Sequence, residues 1–188
     1  GEMIQSTLIL SAQNQIARDQ FVVTATTHGL VKKTPLSGFT NIKSNGLIAI
    51  DLRDNDELQS VRLTSGNDHV LLVTKEGKAI RFSEKDIRPT GRDTQGVKGL
   101  TMKKGDEAVM MVTFPSVPVK AEDKRRKFFL ELLAVTARGI GKRTGVDEYP
   151  VQNRGGQGVK VANLNDKTGH LVAALLVTQD DEFGVITT

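Results

Sequence analysis

The chain has 188 residues, with 26 Lys and Arg against 22 Asp and Glu, a formal net charge of +4 and no cysteine. Disulfide frameworks and thiolate metal sites are therefore excluded, and no apolar run approaches the roughly 20 residues of a membrane helix. Hydrophobic content of 38% with 26% charged residues fits a soluble globular protein large enough to bury a substantial core, and a cytoplasmic location is the expectation.

In chain order, a repeat emerges when turn glycines are aligned. Residues 1–20 open on a segment, Met3 to Ser6, that resembles Glu57 to Ser60, so they are expected to be the end of a preceding unit. Three full units follow at 21–68, 69–128 and 129–182. Each opens on an apolar run, Val22 to Gly29, Val70 to Gly77 and Leu132 to Gly139, with threonine three residues before the glycine. A basic segment comes next, then a second glycine at Gly46, Gly96 or Gly158 that opens another apolar-rich stretch. An acidic turn and a last apolar segment complete the unit. The middle unit carries a Pro- and Lys/Arg-rich insertion over 115–127, read as an exposed loop that is solvated or adds a contact. Residues 183–188 resemble the first strand of a further unit. Each unit holds about four short Val/Ile/Leu/Thr-rich runs bounded by Gly, Asn, Asp and Pro, which are strand signals. Four strands repeated at this period predict an all-β, propeller-type array of four-stranded blades, about three complete with a half at each end.

Charge is segregated at the same phase of every unit. From Gly29 to Arg53, Lys32, Lys33, Lys43 and Arg53 face only Asp51. From Gly77 to Gly105, Lys78, Arg81, Lys85, Arg88, Arg92, Lys98, Lys103 and Lys104 outnumber Glu84, Asp86 and Asp93. From Arg138 to Lys160, Arg138, Lys142, Arg143, Arg154 and Lys160 oppose Asp147 and Glu148. In one repeat this pattern is equally a solvated hairpin surface. Three repeats in phase make a continuous basic rim, the footprint of a phosphate backbone. With one tyrosine and no tryptophan, base stacking on single strands is a poor source of affinity. Duplex DNA held by its backbone fits better.

The loop Gln152-Asn153-Arg154-Gly155-Gly156-Gln157-Gly158 has the form Gln-x-Arg-Gly-Gly-x-Gly. It resembles the box motif of the C-terminal domain of the A subunit of DNA gyrase, whose usual form is Gln-Arg-Arg-Gly-Gly-Lys-Gly. The flanks, Gly139-Ile-Gly-Lys-Arg-Thr144 and Tyr149-Pro-Val151, fit as well, and Gly29 to Thr34 and Ile80 to Glu84 look like other blades of the family. The resemblance implies a β-pinwheel of six blades with strands exchanged between them, wrapping double-stranded DNA on its perimeter. It implies no catalysis and no cofactor in this part. The whole would be an ATP-dependent type II topoisomerase, an A2B2 assembly in the nucleoid-containing cytoplasm, with ATP and Mg2+ acting elsewhere. Two departures weaken the box, Asn153 and Gln157 standing where the family carries basic residues, so its contact is expected to be auxiliary. The loops Asn41–Gly46 and Thr90–Gly96 are eroded further.

The residues assigned to DNA on these grounds begin with Arg154, whose guanidinium fork suits phosphate oxygens. Gln152, Gly155, Gly156 and Gly158 join it from the loop, the glycines for close backbone approach or for loop geometry alone. Lys160 follows the loop, and Lys142 and Arg143 precede it. Lys32, Lys33 and Lys43 come from the first unit, with Lys78, Arg81, Arg88, Arg92 and Lys98 from the second. No residue is assigned to catalysis or to metal. Tyr149 lacks the carboxylate-bound metal a topoisomerase nucleophile needs and is expected to pack beside Pro150. His28, His69 and His170 are scattered, without metal-ligand spacing. Two rival readings remain: the corresponding domain of topoisomerase IV, which wraps DNA less, and a protein-interaction propeller, which predicts apolar patches on the rim.

Overall fold

A computed structural model describes residues 6–8, 19–40, 46–116, 130–178 and 180–182. Most of 1–20 and of the 115–127 insertion, Lys43 with its loop, and 183–188 lie outside the described residues. The described strands, in chain order, are β1 (Phe21–Thr26), β2 (Leu30–Pro35), β3 (Leu58–Thr64), β4 (Asp68–Thr74), β5 (Lys78–Ser83), β6 (Val97–Lys98), β7 (Ala108–Pro115), β8 (Glu131–Thr136), β9 (Gly141–Gly145), β10 (Val159–Lys160) and β11 (Leu171–Val177). No α-helix occurs among the described residues, and no helix there is long and apolar enough to cross a membrane.

The hairpin turns explain the recurring Thr-x-x-Gly. Gly29, Gly77 and Gly139 have φ of 73°, 77° and 76°, a conformation open to glycine at no steric cost. The hydroxyls of Thr26, Thr74 and Thr136 each accept the amide of the residue after that glycine at 3.2 Å. The glycine amide in turn donates to the carbonyl of the same threonine. One side chain thus closes each turn that joins β1 to β2, β4 to β5 and β8 to β9.

Three antiparallel sheets result, ordered β3-β1-β2-β6, β10-β5-β4-β7 and β11-β8-β9. The first two are completed by strand exchange. β6, which follows sheet 2's hairpin in sequence, pairs with β2 through Val31↔Val97 and Leu30↔Lys98. β10 likewise pairs with β5 through Ala79↔Val159 and Lys78↔Lys160. Parallel bridges from Lys33 to Pro89 and from Arg81 to Val151 extend each junction.

Sheet 2 is the middle layer, and its sequence shows it. The uninterrupted run Val70-Leu71-Leu72-Val73 is fully buried, because β4 is covered on both faces. Val70 and Leu72 pack with Val23, Ala25, Val31, Ile80 and Phe82 between sheets 1 and 2. Leu71 and Val73 pack with Val112, Leu132, Ala134 and Leu171 between sheets 2 and 3. β7 contacts both β3 and β11 along one edge of the stack. β6 and β10 occupy the opposite edge of their sheets, and the basic segments gather there.

Candidate nucleic-acid interface

The loop Gln152–Gly158 is laced to both neighbouring sheets. Gln152 N donates to Arg81 O at 2.8 Å, Gly155 N to Gly99 O at 2.8 Å, and Thr101 N to Gly156 O at 2.8 Å. Thr101 Oγ1 adds a bond to Gly155 O at 2.7 Å. Gly158 admits no other residue, since a Cβ there would lie 2.4 Å from Ala79 O and its φ is +66°. Arg154 is half-buried. Its Nε donates to Asp86 O at 3.2 Å and its Nη1 to Lys98 O.

The eroded loop Thr90–Gly96 repeats this geometry. Thr90 N donates to Lys33 O at 2.9 Å and Asp51 N to Thr94 O at 3.2 Å, while Arg92 Nη1 reaches Ile48 O at 2.9 Å. Arg92 therefore occupies the position of Arg154, and both guanidiniums fasten the loop to the main chain of the preceding unit.

The strand lysines of the first unit depart from the sequence-based expectation. Lys32 and Lys33 are 2% and 4% exposed, so neither side chain lies at the surface, where the expected contact would have to be made. Lys32 Nζ sits within the Thr90–Gly96 loop and donates to Ala49 O (2.8 Å), Gly91 O (3.2 Å), Arg92 O and Thr94 O (3.2 Å). Burial, opposed by the charge of Asp93, brings its pKa down to about 8. Lys33 Nζ donates to Glu84 O at 2.7 Å. The physical reason is strand exchange, which brings carbonyl oxygens of the next unit over β2 where the local sequence suggests only solvent.

Arg81, at the position of Lys33 in β5, is half-buried and similarly engaged. Its Nη1 donates to Val146 O at 2.9 Å and to Tyr149 O at 3.3 Å, and its Nε to His69 Nδ1 at 3.0 Å. Burial and then the Arg81 charge hold His69 below the ordinary imidazole range. Arg143 is exposed and pairs with Glu131, with a further bond to Thr178 O at 3.2 Å. Lys142 is exposed with Nζ on Val161 O at 3.2 Å, and Lys78 is half-buried.

The cations left facing solvent are displayed elsewhere. Lys98 and Lys160 hold equivalent places on the exchanged strands β6 and β10, and both are exposed, as is Arg88. Arg53, Lys98 and Lys103 line one open groove of about 410 Å³. Its acids are engaged: Asp106 Oδ1 accepts the amides of Glu76 and Glu107 at 3.0 and 2.9 Å, and Glu107 pairs with Lys75 at 3.4 Å. Arg53, Lys103 and the exposed Lys104 count toward the basic phase of the sequence but are not among the residues it assigned to DNA. A signal for them exists, because Arg53 and Lys103 stand at the same offset before the buried Asp56 and Asp106. Tyr149 lies in the core between sheets 2 and 3, where burial pushes its phenol up; it is no exposed nucleophile.

A family model described as DNA gyrase C-terminal domain, beta-propeller, matches residues 20–65, 68–112 and 130–178. The DNA gyrase A protein of Staphylococcus aureus (strain MRSA252) is 40% identical over 187 residues, 100% of this chain and 20% of that protein. The DNA gyrase A protein of Staphylococcus epidermidis (strain ATCC 12228) is 40% identical over 179 residues, 95% of this chain and 19% of that one. The chain thus spans about a fifth of the length of the curated relatives it matches. Among solved structures, a DNA gyrase A C-terminal domain aligns with a TM-score of 0.72 at 28% identity, covering 89% of this chain and 52% of that one. A DNA topoisomerase IV C-terminal domain aligns with a TM-score of 0.74 at 25% identity, covering 85% and 47%.

Proposed function

Because the chain belongs to the DNA gyrase C-terminal domain family, we propose that it is a non-catalytic domain that binds and wraps duplex DNA for a type II topoisomerase. On this reading its partners are double-stranded DNA and the rest of an A2B2 gyrase assembly in the bacterial cytoplasm. ATP and Mg2+ act elsewhere in that assembly, and this domain needs no cofactor of its own. The observation that carries the reading is the pair Lys98 and Lys160, exposed at one phase of adjacent sheets, with Arg53 and Lys103 sharing the groove beside Lys98. A ridge of lysines on a rigid sheet edge follows a backbone of regularly spaced phosphates and reads no base.

Topoisomerase IV remains the second reading, since its domain aligns with a comparable TM-score. The 40% identity to gyrase A proteins favours gyrase. Gel-shift titration of a duplex at two salt concentrations tests binding. The expected result is sequence-independent association that weakens steeply with salt, and salt-insensitive or absent binding would sink the proposal. Ligation of nicked circles in the presence of the domain tests wrapping, which requires a shift in linking number.

A further inference from the structure

We propose that Arg154 serves DNA binding by holding Lys98, and that the Lys98 ammonium, not the guanidinium, meets the phosphate. The inference rests on the DNA-binding reading above and deepens it. Two of the three guanidinium nitrogens of Arg154 are spent on main-chain carbonyls, Nε on Asp86 O and Nη1 on Lys98 O. The second bond lands on the residue whose side chain is displayed at the sheet edge. The neighbouring glycine completes the support. Gly155 N donates to Gly99 O, and Gly155 runs beside Lys98, a Cβ there standing at ordinary contact distance, 3.6 Å from Lys98 O and 3.8 Å from Lys98 Cδ. The loop therefore holds the backbone of Lys98 and runs alongside its aliphatic stem. Lys98 itself is exposed, and its Nζ has no hydrogen-bond partner among the described residues.

The preceding loop supplies a built-in control. Arg92 makes the same bond to the equivalent carbonyl, but that carbonyl belongs to Ile48, an exposed residue with no charge. The clamp is thus present twice and carries a cation once. Arg154 turns Nε and Nη1 toward protein oxygen and Arg92 turns Nη1, so at both sites a main-chain carbonyl orients the guanidinium, and at one of them that carbonyl belongs to a lysine.

The test measures the slope of log Kobs against log salt for a duplex several helical turns long, with thermal midpoints recorded for every variant of this chain. Lys98→Ala should lower the slope by about 0.9, the contribution of one phosphate. Arg154→Lys keeps the charge and loses the fork, and it should weaken binding as Arg154→Ala does. The double variant K98A/R154A should bind no worse than K98A. Arg92→Ala should lower the thermal midpoint as Arg154→Ala does while leaving the slope unchanged. A double variant that loses about 1.8 in slope, an Arg154→Lys protein that binds as the parent does, or a Lys98→Ala protein with an unaltered slope would overturn the inference while leaving duplex binding intact. Absence of salt-dependent binding in the parent chain would instead remove the DNA-binding reading and this inference together.

Discussion

Lys33 Nζ stands 3.8 Å from Glu84 Oε2 and donates to the Glu84 carbonyl at 2.7 Å, both side chains being buried at the junction of sheets 1 and 2. The carboxylate is completed by Thr64 Oγ1 at 2.8 Å and the Asp68 amide at 2.7 Å. Glu84→Ala keeps the carbonyl that Lys33 Nζ bonds but leaves the buried ammonium without its counter-ion and the Thr64 hydroxyl and Asp68 amide without their acceptor. Loss of one partner of such a pair costs about 3–5 kcal/mol. Denaturant melts are expected to show that loss, and a change under about 1 kcal/mol would contradict the buried linkage.

The Lys32 ammonium makes a second prediction, one that separates stability from DNA binding. Lys32→Ala orphans a set of carbonyls of the Thr90–Gly96 loop, and leaving a buried acceptor unsatisfied costs about 1–3 kcal/mol. Since Lys32 is buried, the salt slope of DNA binding should stay at the parent value. A fall in slope without a fall in thermal midpoint would place Lys32 at the DNA surface after all.

Acid should act through Asp56. Burial raises its pKa, but hydrogen bonds from Thr26, the His28 amide, Thr27 and the Glu57 amide outweigh it and hold the carboxyl below its ordinary 3.8. A depressed folded-state pKa means that stability is fully present above the ordinary value and is lost as the pH falls through the folded one. Asp56→Asn should flatten that acid limb. Thermal midpoints measured from mildly acidic pH downwards check this, and parallel acid profiles for the two proteins would refute it.

Close backbone approach can be isolated with two glycines. Gly158 and Gly105 both have positive φ, +66° and +85°, but a Cβ at Gly158 would lie 2.4 Å from Ala79 O, whereas nothing lies within 4 Å at Gly105. Alanine at Gly105 meets only the backbone cost, about 1–2 kcal/mol. Alanine at Gly158 should cost more and weaken the pairing of β10 with β5. Equal losses in equilibrium melts would show that the exchanged strand yields freely.

Restoring the box charges should strengthen the rim. Asn153 and Gln157 are both exposed, so Asn153→Arg with Gln157→Lys adds two cations to the loop that joins Lys98 to Lys160. The salt slope should steepen by up to about 1.8. An unchanged slope would mean that this loop does not face the duplex.

Much of this architecture is legible in the residues themselves. Thr-x-x-Gly marks each hairpin because one hydroxyl and one left-handed glycine close the turn, and these are local. The uninterrupted apolar run Val70 to Val73 is local too, although the two sheets that cover its faces are not. The destinations of Lys32, Lys33, Arg81, Arg92 and Arg154 are not. Each reaches a carbonyl supplied by a different repeat, 44 to 68 residues away in sequence, and a basic residue on a strand looks the same whether it faces phosphate or an incoming carbonyl. Only the exchange of β6 and β10 decides between them.

That exchange also sets an order of manufacture. A chain emerging from the ribosome has made β1, β2 and β3 by residue 64, yet sheet 1 lacks its fourth strand until residue 98 is out. Sheet 2 waits in the same way for residue 160, well after β7 ends at Pro115. Each of these sheets is finished by the delivery of its successor, so assembly runs one repeat behind synthesis and the nascent domain carries an open edge throughout. Hydrogen exchange on a chain stopped after Thr90 should find the β2 edge amides unprotected, and protection should arrive once Val97 and Lys98 are present.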